Sequence, residues 1–253
     1  MKIILTENGL KLKMALFMHI QKCAGTSVVN LAAKYYGNNK VCSHGDFLGK
    51  PPSDFYKVPF VSGHFGYDFA KTLMPGRYCF VFLREPADRI LSFYYFCRQR
   101  DPNQFEMYKL AQELNLEQFL QYAFEDPLAR SRIWNNQTWQ LAHGYGKQDK
   151  RSIVNFTEGE LLKLAKSHLS EFDYVGFTET FDRDKKIILK KLGIVDDGSV
   201  TRLNVTKDKP SMHELPLSIR KLLDQLTELD REIYRYAGSL RQRSWLQRIL
   251  GRL

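Results

Sequence analysis

Short apolar runs alternate with amphipathic stretches along this chain of 253 residues. Runs of this kind, bounded by charged or turn-forming residues, are typical of strands buried on both faces. The predicted strands are Met14–Ile20, Val58–Ser62, Tyr78–Leu83 and Tyr174–Phe177. Because helical stretches separate them, the pattern predicts one α/β domain with a parallel sheet covered on both faces.

Apolar residues recur at helical spacing between these strands. The predicted helices begin at Thr26, at Pro86, after a Thr157–Glu160 capping box, at Thr180 and near Leu217. The region from about Gln104 to Gly144 also reads as helical. Gly37 and Gly193 stand where two of the helices should end, as C-cap glycines do.

The first strand leads through a short turn, Gln21–Gly25, into the first helix. A strand, a tight turn and a helix N-terminus present backbone N–H groups together, and Lys22 adds positive charge at the same point. This stretch predicts a binding site for an anion. The Walker A order places lysine late in the loop. Here Lys22 comes early and Gly25-Thr26-Ser27 follows, which disfavours an ordinary ATP or GTP loop.

A second candidate site follows the Tyr78–Leu83 strand, where Arg84 stands at the carboxyl end of a predicted sheet. Open α/β sheets bind their ligands at this end. Arginine offers a bidentate fork to a terminal phosphate, and the Ser92 hydroxyl two helical turns later offers another donor. Pairing of Arg84 with Glu85 or Asp88 at the sheet end is an equally good interpretation of the residues alone.

Composition narrows the classes of function. The net charge of +10 favours anionic partners without identifying one. The four cysteines are too widely spaced for a C-x-x-C zinc site, and they favour a reduced compartment over a disulfide scaffold. Neither an apolar leader nor a membrane-spanning run is visible. These features predict a cytoplasmic protein.

Two motifs resemble those of sulfotransferases that use 3′-phosphoadenosine 5′-phosphosulfate (PAPS). The run Gln21–Ser27 is similar to the P-K-T-G-G-T-S loop that binds the 5′-phosphosulfate, and Leu83–Tyr94 is similar to the L-R-[ED]-P-x-[DE]-R-x-x-S-x-[YF] motif for the 3′-phosphate. The resemblance implies a P-loop-kinase-like fold. It assigns the donor's 5′-phosphosulfate to Lys22, Cys23, Ala24, Gly25, Thr26 and Ser27. It assigns the 3′-phosphate to Arg84 and Ser92.

Within that family the chain looks most like carbohydrate sulfotransferases related to the heparan and dermatan 2-O enzymes. A Gly-His pair after the second strand carries this resemblance, matched here by Gly63-His64. It implies that His64 is the general base and that the acceptor hydroxyl belongs to a saccharide. His44 and Asp46 are rival bases, and His19, inside the first strand, is expected to be packing. Lys22 would assist the leaving group, and we expect no required metal.

Several alternatives stay open at this point. Aromatic and basic residues after the second motif could line an acceptor cleft or belong to the core: Tyr94, Tyr95, Arg98, Arg100, Arg130, Arg132, Trp134 and Trp139. We divide the chain into a catalytic domain, 1–240, and a basic amphipathic tail, 241–253, that packs on the domain or contacts a membrane surface. A nucleotide kinase and a polyanion-binding module are the rival functions; we expect no nucleic-acid partner.

Overall fold

The computed structural model of the chain describes residues 2–5, 9, 11–144, 155–198 and 209–250, with side chains as far as Gln242. Its centre is a sheet of five parallel strands in the order β4-β5-β3-β6-β7. The strands are β3 (Ala15–Met18), β4 (Val41–Cys42), β5 (Phe60–Gly63), β6 (Tyr78–Leu83) and β7 (Tyr174–Phe177). A separate antiparallel hairpin comprises β1 (Ile3–Leu5) and β2 (Lys11–Lys13).

Helices flank the central sheet, which confirms the predicted α/β class. They are α1 (Gly25–Tyr36), α2 (Tyr67–Leu73), α3 (Pro86–Cys97), α4 (Glu106–Glu113), α5 (Leu116–Glu125), α6 (Pro127–Ile133), α7 (Asn136–Ala142), α8 (Glu158–Leu169), α9 (Phe181–Leu192), α10 (Leu217–Leu226) and α11 (Glu228–Leu250). Helices α1 and α9 pack on the sheet face that presents Phe60, Phe80 and Phe82. Those rings, together with Phe17 stacked on Phe80 at 5.0 Å, form the centre of the core.

Local capping chemistry sets several helix ends as the sequence predicts. Thr157 and Glu160 form the reciprocal capping box at the start of α8. Gly193 ends α9 with φ at 87°, a left-handed conformation that glycine adopts without a steric cost. The four cysteines are buried and free.

Two predicted helices are subdivided in the structure. The region 104–144 forms four short helices because capping residues interrupt it: Asn115 caps α5, and Asp126 with Pro127 begins α6. The last predicted helix is broken at Thr227 into α10 and α11. The carbonyl of Leu226 accepts a bond from the Asn135 N–H at 2.8 Å, so a neighbouring element takes up a carbonyl at the helix end.

Candidate active site

The carboxyl ends of all five parallel strands border one pocket of about 190 Å³. Each strand delivers a residue to its wall in the segment that follows it. His44 follows β4, His64 follows β5, Lys22 follows β3, Arg84 follows β6 and Thr178 follows β7. This is where open parallel sheets hold ligands, because the loops that leave the strands converge there.

The loop between β3 and α1 is strained into a tight curve. Lys22 and Ala24 have positive φ angles of 67° and 61°, which non-glycine residues rarely adopt. Gly25 admits no side chain, since a Cβ there would lie 1.5 Å from Nε2 of His19. Helix geometry leaves the first N–H groups of α1 without intrahelical acceptors at this point. The loop therefore has the form and polarity of an anion-binding turn.

Lys22 is held at the pocket wall by an aromatic ring. Its ammonium lies 3.7 Å from the centre of the Phe96 ring, in cation–π geometry. Burial, and after it the nearby charge of Arg84, lowers the pKa of Lys22 to about 8. A buried cation next to a second cation is destabilised until an anion arrives.

Arg84 pairs with Asp88, one of the partners that the sequence suggested, and it also lines the pocket. Its Nη2 lies 3.4 Å from Oδ2 of Asp88, and its Nη1 donates to the Lys22 carbonyl at 3.2 Å. The residue also lines the pocket, where its buried Nε has no hydrogen-bond partner among the described residues. Lys209 reaches the same Asp88 carboxylate at 2.6 Å. The arginine is thus held by Asp88 and the Lys22 carbonyl at the wall of the pocket.

Seven of the eight residues predicted to bind the nucleotide line this pocket: Lys22, Ala24, Gly25, Thr26, Ser27, Arg84 and Ser92. Cys23 does not. Its thiol is fully buried 3.7 Å from Oε1 of Gln137, and its amide donates to the Ile20 carbonyl. Burial raises the pKa of this thiol to about 12, so it stays protonated. Cys23 packs the loop from behind.

His64 has a defined tautomer. Its Nδ1 lies 3.0 Å from the carbonyl oxygen of His19, and because a carbonyl can only accept, Nδ1 carries the proton. The neutral ring then has its basic lone pair on Nε2. Burial lowers the pKa of His64 to about 4, although the bond to the carbonyl opposes the shift. The imidazole is therefore uncharged at neutral pH.

Two further histidines surround His64. The ring centres of His19 and His64 are 4.1 Å apart, and His44 lies 5.4 Å from His19 and 5.8 Å from His64. His19 stacks on Phe17 as the packing prediction implies, but it also lines the pocket. Asp46, the other rival base, is exposed and accepts from the Ser43 amide at 2.8 Å. The described residues contain no cluster suited to hold a metal ion.

Helix α7 holds both halves of the site, a role that the sequence did not reveal. Gln137 accepts from the Arg84 amide and donates to the Arg84 carbonyl, each at 3.0 Å. One turn later, Gln140 donates to the carbonyl of His19 at 3.0 Å, the same oxygen that orients His64. The available signal was the polar run Asn136-Gln137-Thr138 within a helical region, whose buried amides require specific partners.

The amino end of α7 is fixed in turn by Asp230 of α11. Its carboxylate accepts from the Thr138 amide and hydroxyl, both at 2.7 Å, and from the Gln137 amide at 3.3 Å. Burial raises the pKa of Asp230, whereas these bonds and Arg89 favour its charged form. Helices α7 and α11, both late in the sequence, thereby support the backbone at Arg84.

The aromatic residues proposed for an acceptor cleft are mostly in the core. Tyr94, Trp134 and Trp139 are buried. Arg132 is the member of that set that lines a cleft beside His64.

The predicted tail begins inside a continuous helix. Helix α11 passes through residue 240 to Leu250, and Arg241 pairs with the buried Asp184 carboxylate. The remaining tail side chains, including Trp245 and Ile249, lie outside those that the structure describes. Among the described helices, none has the length and apolar character needed to span a bilayer.

Comparison with known families agrees with this geometry. A model of the sulfotransferase family matches residues 12–237, which include every strand of the parallel sheet and every residue of the pocket. A comparison with curated proteins gave no match. The matched region covers far more than half of the chain. The protein therefore belongs to the sulfotransferase family and is a transferase of sulfuryl groups.

Proposed function

We propose that the protein transfers the sulfuryl group of PAPS to an acceptor hydroxyl. The observation that carries the proposal is the placement of Lys22 and Arg84 in one pocket, with the α1 amino terminus beside Lys22 and a buried, unsatisfied Nε on Arg84. A nucleotide with two phosphate groups fits these donors. The donor supplies an activated sulfuryl group. The strained loop and Lys22 bind the phosphosulfate end, and Arg84 with Ser92 binds the 3′-phosphate.

His64 is the proposed general base. The acceptor oxygen forms a bond to sulfur while the bond from sulfur to the bridging phosphate oxygen breaks, and Nε2 of His64 takes the hydroxyl proton. Its Nδ1–H bond to the His19 carbonyl fixes the tautomer that this step requires. Negative charge that develops on the departing phosphate oxygen is stabilised by the Lys22 ammonium.

Lys22 and Arg84 also account for the proposal that no metal is required. Kinases on related scaffolds use magnesium to neutralise a transferred phosphoryl group. A transferred sulfuryl group carries less charge than a transferred phosphoryl group. Two cationic side chains, Lys22 and Arg84, already line the pocket. Membership of the sulfotransferase family sets the kinase alternative aside, and a polyanion-binding module without catalysis does not explain the paired donors.

The acceptor is proposed to be a hydroxyl compound, with a saccharide hydroxyl as the first class to test. Support comes from the resemblance of the Gly63-His64 segment to carbohydrate sulfotransferases. His44, His64 and Arg132 line a second cleft, and we expect the hydroxyl to reach His64 from that side.

Transfer of labelled sulfate from PAPS to a panel of saccharides and phenols, in the presence of a chelator, tests the activity. We expect H64A to lower turnover at least about a hundredfold, the lower range for loss of a general base. Binding of adenosine 3′,5′-bisphosphate to H64A should stay close to that of the unsubstituted protein. H44A is the matched control, because His44 lines the same pocket. Full activity in H64A with a loss in H44A would move the base to His44.

A further inference from the structure

The pocket of about 190 Å³ that contains Lys22 and Arg84 is the proposed donor pocket. A second cleft of about 510 Å³ adjoins it. His44 and His64 line both cavities, so the two histidines form the boundary between them. A molecule in this cleft would present a group directly to the proposed base. The walls of the cleft would then determine which acceptors reach His64.

Apolar side chains make up much of the wall. Phe47 and Leu48 approach from the segment after β4, and Phe105 and Leu128 come from the segments that precede α4 and form α6. The Phe47 ring packs edge-on against Phe65 at 5.4 Å. Phe105 packs edge-on against Tyr108 at 5.3 Å, a residue of the donor pocket. These contacts make the apolar wall a fixed part of the site.

Leu48 stands at the mouth of this wall and is 58% exposed. A single exposed leucine is ordinary on a protein surface. This one continues an apolar surface that leads to the catalytic histidine, where a ligand would cover it. Burial of apolar ligand surface here would contribute to binding in proportion to the area removed from water.

The charge of the cleft is balanced. Arg132 supplies one buried cation, and its guanidinium lies 5.8 Å from the Phe105 ring. Glu106 supplies one acid, and Asn103 and Gln104 are neutral. A cleft for a densely sulfated or carboxylated polymer needs an excess of cations. Despite the net charge of +10 for the whole chain, the described residues of this cleft do not provide one.

We propose that this cleft is the acceptor site and that it selects amphiphilic acceptors, in which the reacting hydroxyl lies next to an apolar group. The apolar part packs against Phe47, Leu48, Phe105 and Leu128, and the hydroxyl meets His64. This inference rests on the proposed sulfuryl transfer and narrows its substrate class. An alkyl glycoside, with a saccharide hydroxyl and an apolar tail, combines both properties.

Octyl and methyl β-D-glucopyranoside test the proposal, because their hydroxyls are the same and they differ in the length of the alkyl group. Sulfate transfer from labelled PAPS to each is measured below the micelle concentration of the octyl compound. Each methylene that is buried in the cleft strengthens binding about fourfold. If three methylenes enter the cleft, kcat/KM for the octyl compound exceeds that for the methyl compound by about 60-fold.

Two leucine variants make the test specific to the cleft. L48S should lower the ratio of the two kcat/KM values several-fold, since it removes apolar surface at the mouth. L217S is the matched control. Leu217 is 60% exposed and does not line the cleft, so the ratio should stay unchanged. Melting temperatures of both variants establish that they fold.

The outcomes separate this inference from the function on which it rests. Equal kcat/KM values for the two glucosides overturn it, as does an equal effect of L48S and L217S. A protein that binds adenosine 3′,5′-bisphosphate but sulfates neither glucoside also overturns it, while leaving the donor site in place. A protein that fails to bind the bisphosphate overturns the proposed function itself.

Discussion

At the scale of single residues, Lys22 lowers the stability of the unliganded protein. It has a positive φ of 67°, and it is partly buried beside Arg84. Its pKa falls from 10.5 to about 8 on folding, so the charged form is disfavoured in the folded state. The charge on Lys22 therefore lowers the free energy of unfolding below about pH 8, and this destabilisation disappears as the pH rises from about 8 to 10.5. Sites built for ligands often carry such a cost.

Substitution of Lys22 by methionine should therefore raise stability while removing function. We expect K22M to increase the free energy of unfolding at pH 7 by about 1 kcal/mol, which is less than the full pKa shift implies because solvent screens a half-buried group. The same variant should lose most of the thermal stabilisation by adenosine 3′,5′-bisphosphate. K57M, at an exposed lysine, is the control, with changes within about 0.5 kcal/mol. A less stable K22M that still binds the nucleotide would contradict this account.

Phe96 should determine the pH range in which Lys22 is charged. The ring attracts the ammonium at 3.7 Å, so its loss in F96L should lower the pKa of Lys22 further. Affinity for the bisphosphate falls as the free protein loses this proton, a fall that begins near pH 8 in the unsubstituted protein. In F96L the fall should begin at lower pH, and F96Y should restore the original profile. Titration calorimetry across pH measures this, and superimposable profiles for F96L and the unsubstituted protein would exclude the role.

At the scale of elements, helix α7 positions both the Arg84 backbone and the His19 carbonyl that binds His64. Gln137 holds both polar groups of the Arg84 backbone, and Gln140 holds the carbonyl that orients His64. We expect Q137A to weaken binding of the bisphosphate about tenfold, the scale of one or two lost hydrogen bonds. Q140A should instead lower kcat with a smaller effect on nucleotide affinity.

Each glutamine variant is the control for the other, because the two residues lie one turn apart on the same helix. Binding by calorimetry and steady-state kinetics on both variants check the prediction. Equal losses of affinity and kcat in both would mean that α7 contributes stability alone.

The limits of the sequence also lie at this scale. Strands Tyr78–Leu83 and Tyr174–Phe177 could be predicted because an apolar run bounded by turn residues is a local signal. Seven residues of the pocket could be predicted because two short motifs contain them. Strand β4, with two residues, is too short to give a pattern. The roles of Gln137 and Asp230 depend on contacts between residues that are 53 and 93 positions apart in the sequence. Tertiary pairing of that kind leaves no periodic trace.

At the scale of the whole molecule, the sheet explains why the candidate site residues lie around one pocket. Five parallel strands end at the same edge, and each contributes a wall residue. His64 lines both the pocket and the neighbouring cleft, so the proposed function has donor and acceptor approach it from two sides. The positive net charge favours capture of a polyanionic nucleotide at low ionic strength.

The central claim is that Lys22 and Arg84 grip two ends of one doubly phosphorylated adenosine. Calorimetric binding of adenosine 3′,5′-bisphosphate and of 5′-AMP, in a chelator, tests it most directly on the unsubstituted protein and on R84Q. Because a charge-assisted bond to phosphate contributes about 1.5–3 kcal/mol, we predict that the bisphosphate binds about 10- to 100-fold more tightly than 5′-AMP and that R84Q abolishes most of this preference. Equal affinities for the two nucleotides in the unsubstituted protein would contradict the account.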